Sequence, residues 1–459
     1  MYRTDFSSLG ALRKLASELD CPIGFKEDIS PLRDPIKAGD LTFPNRIVIQ
    51  PMEGADADPK GSPTDRSRER YLGYARGGAG VIWFEACAVE LPEARTHDKM
   101  LVINNETAPH FERLLEDARA ESEDCLSELG LKGRAAFVLQ LSHAGRYRVE
   151  RTSTSPAMAY RFPVLERAFG ISEDVGRVVT DEELEELRGA FVDAASLAFD
   201  AGFDAVDVKA CHGYLLNDLL SAFTRDGEYG GEEFENRSRF LLETVSETVK
   251  ETSGSVTTRL NVYDGISHPY GFGTKPLPGS DDSKYSKLAG FNPDEPVRLV
   301  HELRKAGVDF INISLGNPYY SQFLTRPFDV KMPGQRESPE HPMRQVARHF
   351  EVVETIKREA PDMVFIGSGY SWLRQHGVNA AAYNIAHSRT DVAGWGRLSF
   401  AYPGFPKEVL SRGSLLSSKV CVTCSGCSRL LRGGFEAGCV VQNPGAYRES
   451  MRRLAEQGK

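Results

Sequence analysis

The chain has 459 residues, 41% hydrophobic and 26% charged, enough to bury one large core or two ordinary ones. Its net charge of −9 opposes phosphate backbones and anionic lipid, and no apolar run approaches the roughly 20 residues that span a bilayer, which argues against nucleic-acid and membrane roles. No secretory signal is read at the N-terminus, so the expectation is a cytoplasmic, reducing setting. The eight cysteines are then thiols or metal ligands rather than a disulfide framework.

In chain order, the first 35 residues precede any strand signal. From there short β-rich apolar runs alternate with helical stretches. A strand at 46–50 leads into Pro51-Met-Glu-Gly54, followed by a short charged helix at 65–75. A strand at 81–88 precedes apolar residues at helical spacing over 107–129, and a strand at 135–141 follows. Thr180-Asp-Glu-Glu183 has the form of a capping box, and Gly202 stops the helix it opens. Strands at 205–209 and 257–262 flank a helix at 235–252; a helix at 294–306 precedes a strand at 310–313. A helix at 342–359 precedes strands at 363–367 and 392–394. Short, nearly continuous apolar runs of this kind suit strands buried on both faces. Eight of them, with no glycine-rich dinucleotide turn after the first, predict an α/β fold of the (β/α)8 TIM-barrel type over 36–405. Residues 1–35 form an N-terminal extension and 406–459 a cysteine-bearing tail. The Gly-, Pro- and Ser-rich segment 264–292 reads equally as a lid or as a surface insertion.

Function in a barrel gathers at the C-terminal ends of the strands, and several polar clusters fall there. Gln140 ends the third strand and opens Gln140-Leu-Ser-His-Ala-Gly-Arg146; able to donate and accept at once, it suits the amide-like edge of a flavin. The fourth strand ends in Lys209-Ala-Cys-His-Gly-Tyr214. Lys209 and His212 can polarise a carbonyl or carboxylate oxygen, and Tyr214 can deliver a proton to carbon. Arg259 lies inside the fifth strand, where it needs an anionic partner: a structural ion pair or a flavin that becomes negative on reduction. Gly367 and Gly369 after the seventh strand, and Gly396-Arg397 after the eighth, can close backbone N–H groups and a guanidinium on a phosphate.

The sequence resembles the Old Yellow Enzyme family of FMN oxidoreductases, including the bacterial 2,4-dienoyl-CoA reductases. The resemblance rests on Asp34-Pro through Gln50-Pro-Met52, Gly77-Gly-Ala-Gly-Val-Ile-Trp-Phe-Glu-Ala86, the Gln140–Arg146 run, His212-Gly-Tyr-Leu215, Thr224-Arg-Asp-Gly-Glu-Tyr-Gly-Gly231 with Glu235-Asn-Arg237, and the two phosphate segments. It spans about residues 34–405. The resemblance implies FMN, with Pro51, Met52, Ala86, Gln140 and Arg259 around its ring and Gly367, Gly369, Gly396 and Arg397 around its phosphate. It implies NADH or NADPH as donor, a small conjugated molecule as substrate, Tyr214 as proton donor and His212 on the activating group. Lys209 departs from the histidine common in the family. No histidine follows the sixth strand where dienoyl-CoA reductases carry a second acid; Tyr319 and Tyr320 stand nearby without an assigned role.

In the tail, Cys421-x2-Cys424-x2-Cys427-x11-Cys439 has ligand-like spacing. The resembling reductases bind a [4Fe–4S] cluster here, before Asn-Pro as in Asn443-Pro444, but with a second gap of three residues. The pattern is compatible with such a cluster, with zinc, or with reduced thiols. In the resembling multidomain enzymes the cluster is fed by a following FAD domain. The expectation here, where the sequence runs to Lys459, is a structural cluster or a separate electron-donor protein. The function expected is reduction of an activated C=C bond in an unsaturated carbonyl, acid, thioester, conjugated pigment or steroid. The alternatives are an oxidative amine demethylase of the trimethylamine-dehydrogenase type and a non-catalytic flavin-binding protein.

Overall fold

A computed structural model describes residues 4–148, 156–169, 171, 175–276, 288–335 and 337–457. Eight parallel strands close on themselves: β1 (Ile47–Ile49), β2 (Val81–Ala88), β3 (Ala136–Ser142), β4 (Ala205–Val208), β5 (Ser255–Asn261), β6 (Phe310–Ser314), β7 (Val364–Gly367) and β8 (Val392–Trp395). Each pairs with the next, and β8 returns to β1 through Ala393–Ile47, Gly394–Val48 and Trp395–Ile49. This is the predicted TIM barrel, and its strands are nearly all buried because helices cover their outer faces.

The barrel interior at its N-terminal end is filled by Val48, Val81, Trp83, Ala136, Val138, Phe310, Ile366 and Val392. Phe43 joins them from an antiparallel hairpin (Ile36–Ala38 with Leu41–Phe43), its ring 5.5 Å from and perpendicular to that of Phe310. The hairpin thus plugs the bottom of the barrel and leaves the opposite mouth for chemistry. Its strands are too short for alternation to reveal them in the sequence.

The outer helices follow the sequence reading closely. Thr180 and Glu183 form the expected capping box around the helix Asp181–Asp200: Glu183 N–H donates to Thr180 Oγ1 at 3.2 Å, and Thr180 N–H to Glu183 Oε2 at 2.8 Å. Gly202, at φ 101°, ends it in the left-handed region. Among the helices that were not expected are Leu9–Glu18 in the N-terminal extension, Gly377–Ala386 between β7 and β8, and Pro444–Glu456 in the tail. Residues 277–287 of the suggested lid lie outside the described residues.

The tail folds back over the C-terminal mouth. Ala437 N–H donates to Gly54 O at 2.7 Å, Arg432 Nη2 to Pro318 O at 3.0 Å, and Ser425 Oγ to Val330 O at 2.7 Å. Among the described residues no helix is long and apolar enough to cross a membrane.

Candidate active site at the C-terminal mouth of the barrel

The end of β1 is held by the amide of Gln50, which donates to Asn312 Oδ1 on β6 and to Ser368 Oγ after β7, both at 3.0 Å, and accepts from Asn312 Nδ2 at 2.7 Å. Gly394 on β8 lets this amide pass: a Cβ there would collide with the Gln50 amide. Gly396 does the same for Met52, whose sulfur would lie 2.8 Å from a Cβ. Gly369 has φ 100°, a conformation that side chains rarely adopt, and heads the turn after β7. Pro51, Met52, Gly367, Gly369, Gly396 and Arg397 therefore converge where β1, β7 and β8 adjoin.

On the facing wall, Asp207 of β4 organises two candidate residues. Its carboxylate accepts from Gln140 Nε2 at 2.6 Å, from Trp83 Nε1 at 2.8 Å and from the backbone N–H of Arg259 at 2.6 Å. Burial lifts its pKa to about 6, while these donors pull the other way. Gln140 is buried and Ala86 pairs with it across β2 and β3. The Arg259 side chain makes no hydrogen bond or ion pair among the described residues, and its buried Nε has no partner. Burial disfavours its charge, with the Cys211 thiol and Asp207 as its offsetting neighbours. A structural ion pair for Arg259, one of the two expectations, is not formed.

The turn after β4 carries the proton-handling groups. His212 has φ 66°, unusual for any residue with a side chain, and Gly213 follows at φ 72°. A Cβ on Gly213 would come within 2.6 Å of the Tyr147 hydroxyl. This tight turn leaves Lys209 and Tyr214 in contact: Lys209 Nζ lies 3.3 Å from the centroid of the Tyr214 ring, a cation–π pair. His212 turns the other way, its Nε2 2.7 Å from Ser314 Oγ at the end of β6. Burial, Arg259 and Lys209 all push the His212 pKa well below its usual value, so the ring is neutral. Burial likewise lowers Lys209 and raises Tyr214, which keeps the phenol protonated.

Several residues at this mouth were given no role by the sequence. Tyr319 stacks on Tyr147 at 3.8 Å, and Arg432 of the tail lies over the Tyr319 ring, 5.5 Å from its centroid. Asn317 Nδ2 donates to the Tyr147 hydroxyl at 2.6 Å. Glu53, directly after Met52, pairs with His97 at 2.7 Å. Asp207 was the one legible omission: an acid inside the apolar run Ala205-Val-Asp-Val208 needs a reason to be buried.

Arg397 is buried; its Nη2 donates to Pro327 O at 2.6 Å and its Nη1 has no partner. It faces Arg326 and Cys421, linking the phosphate-type turn to the tail. The four tail cysteines, Cys421, Cys424, Cys427 and Cys439, are free thiols and only partly buried. Among the described residues no three His, Cys, Asp or Glu side chains are grouped to hold a metal ion. As arranged, the thiols do not fit a cluster or zinc, and no step below uses one. Burial pushes Cys421 up to about 12, so the protonated thiol is its stable form in this arrangement.

The model of the NADH:flavin oxidoreductase / NADH oxidase family matches residues 31–273. An NADPH dehydrogenase of Clostridium acetobutylicum is 30% identical over 281 residues, covering 60% of this chain and 71% of that one. A cinnamate reductase of Clostridium sporogenes is 28% identical over 432 residues, 92% of this chain but 59% of its own length. Among solved structures, a 2-naphthoyl-CoA reductase superposes with a TM-score of 0.67 at 22% identity, over 90% of this chain and 57% of that one. Morphinone reductase superposes at 0.60 and 22% identity, over 86% and 92%. At these identities the superpositions speak for the barrel alone, whereas the family match covers more than half the sequence. The chain belongs to the NADH:flavin oxidoreductase / NADH oxidase family, that of Old Yellow Enzyme, and is an FMN-dependent oxidoreductase with a nicotinamide donor.

Proposed function

We propose that the protein reduces an electron-poor C=C bond conjugated to a carbonyl, acid or thioester. The observation that carries this reading is the contact of Lys209 with Tyr214: a buried cation 3.3 Å over the ring of a phenol that burial keeps protonated.

The residues at the mouth fit FMN. Two buried guanidinium atoms, Arg259 Nε and Arg397 Nη1, have no partner within the protein, and both belong to groups that suit an anionic ligand. Pro51, Met52, Ala86, Gln140 and Arg259 would hold the flavin ring; Gly367, Gly369, Gly396 and Arg397 would hold its phosphate. When bound, FMN supplies hydride transfer from the nicotinamide donor to the acceptor carbon. The chain supplies the rest. Neutral His212 can donate one hydrogen bond to the acceptor's oxygen, and Lys209 stabilises the negative charge that develops there. Tyr214 donates its proton to the adjacent carbon. Buried walls exclude water, which strengthens both interactions.

The relatives named for cinnamate and 2-naphthoyl-CoA support a conjugated acid or thioester as acceptor. Oxidative demethylation of an amine is disfavoured, because the buried Lys209 would repel a cationic substrate. One preparation tests the reading: the FMN-loaded protein is bleached anaerobically by NADH or NADPH and then offered trans-cinnamate, 2-cyclohexenone or trimethylamine. Rapid recolouring by either alkene is the expected outcome. Bleaching of the oxidised protein by trimethylamine, with no response to either alkene, would reverse it.

A further inference from the structure

One buried acid near the mouth has no cation beside it. Asp264, on the loop that follows β5, is 3% exposed and forms no ion pair among the described residues. One carboxylate oxygen accepts from Asn261 Nδ2 at 2.8 Å and, over a longer 3.4 Å, from Asn217 Nδ2. The other accepts from Ser221 Oγ at 3.1 Å and from the Phe272 N–H at 2.8 Å. Only a carboxylate offers two acceptor oxygens to four donors; an Asn would turn its own NH2 on two of them.

Two of these donors lead to the turn after β4. Asn217 lies in the helix Leu215–Leu220, and its Oδ1 accepts the Gly213 N–H at 2.6 Å. Gly213 is the left-handed residue between His212 and Tyr214. Ser221, one helical turn beyond Asn217, shares its face and adds the shorter bond to Asp264. Asn261 Nδ2 divides its two hydrogens between Asp264 and Gly316 O, at 2.8 Å each. Gly316 follows closely on Ser314, whose hydroxyl lies 2.7 Å from His212 Nε2. Its N–H donates to Tyr263 O at 2.8 Å, directly before Asp264. The turn that carries His212 and the loop that carries its partner are thus both tied to one carboxylate.

We propose that Asp264, acting through Asn217 and Asn261, is the positioning residue that sets the orientation of His212 toward the acceptor's oxygen. A histidine at φ 66° occupies a sparsely populated conformation, which persists only where the surroundings over-determine it. Asn217 supplies that constraint on the turn itself, and Asn261 supplies it on the hydroxyl that the ring meets. Displacing either amide would leave the fold of the strands intact and let the ring swing away from Ser314. The role requires no contact of Asp264 with acceptor or cofactor, and no bond is made or broken in it.

The inference rests on the alkene-reducing reading, in which His212 holds the acceptor, and the experiment separates the two. Asn217→Ala and Asn261→Ser cut the two arms singly, and each is also combined with Ser314→Ala, all as FMN-loaded protein. Stopped-flow absorbance follows bleaching by NADH and recolouring by 2-cyclohexenone; the flavin spectrum of the oxidised protein reports the Kd of trans-cinnamate. Each arm variant is expected to slow recolouring ~10-fold or more and to raise that Kd ~3–10-fold, with bleaching changed less than about twofold. On a Ser314→Ala background either change should add less than about twofold, because the contact it positions is already gone. Multiplied losses in the double variants, equal slowing of both half-reactions, or unchanged recolouring in both arm variants would overturn the positioning role and leave alkene reduction standing. Loss of FMN from both arm variants would overturn it too, making Asp264 a support of the whole barrel; if only one keeps FMN, that one decides. Wild-type protein that NADH bleaches but no alkene recolours would overturn the underlying reading, and this role with it.

Discussion

Tyr214 is held by a cation on its ring, Lys209 Nζ 3.3 Å from the centroid, and by the Tyr147 ring packed against it at 5.7 Å. Replacement by Phe keeps the ring and the Lys209 contact but removes the proton. Reoxidation of the reduced protein by an alkene is expected to slow on the order of 100-fold, with reduction by NADH changed less than twofold, as stopped-flow absorbance would measure. Asp207 offers a pH test. Its folded-state pKa, about 6, lies above the ordinary 3.8, so its burial penalty is absent below about pH 4 and complete above about pH 6. Asp207→Asn carries no such penalty. The stability of the wild type relative to this variant should therefore fall as pH rises from 4 to 7, by at most about 3 kcal/mol. A pH-independent difference in urea denaturation would rule this out.

Strand ends, more than strand interiors, decide the geometry of the mouth. β1, β6, β7 and β8 are pinned by one amide, Gln50, which reaches Asn312 and Ser368 only because Gly394 has no side chain. Gly394→Ala is thus a close-packing defect at a junction of four strands, unlike an alanine placed on an open helix. It should destabilise the protein by about 1–3 kcal/mol and weaken FMN binding, because the displaced β1 end carries Pro51 and Met52. Fluorescence of released FMN on titration with the apoprotein would show it; unchanged affinity would mean that Gln50 can yield. The β4 turn works in the same manner: left-handed His212 and Gly213 reverse the chain so sharply that His212 faces β6 while Lys209 and Tyr214 face each other.

At the scale of the molecule, the barrel alone does not complete the site. The tail returns across the mouth, and Arg432 both ties Pro318 and covers the ring of Tyr319. Arg432→Ala should leave FMN bound and raise the KM for the acceptor about 2–5-fold, the equivalent of one cation–π contact of about 0.5–1 kcal/mol. Steady-state kinetics at saturating NADH would measure it, and an unchanged KM would assign the tail a purely covering role. Of the four tail cysteines, Cys421 lies in the field of Arg397 and Cys427 in that of Arg326.

Much of this was legible before any coordinates. Eight short apolar runs separated by helices fit a closed parallel barrel better than an open sheet, and a barrel places its functional loops at one mouth; Gln140, Lys209, His212, Tyr214, Arg259 and the glycine turns stood out because they interrupt those runs with polar or flexible residues. Hidden from the sequence were the partners. That Asp207 holds both Gln140 and Arg259, that Lys209 lies on Tyr214 instead of on an acid, and that Glu53 meets His97 are contacts across neighbouring strands or around a tight turn. Periodicity encodes which face a residue presents, but the partner on that face is chosen by strand register and by positive-φ turns, which only the folded chain supplies.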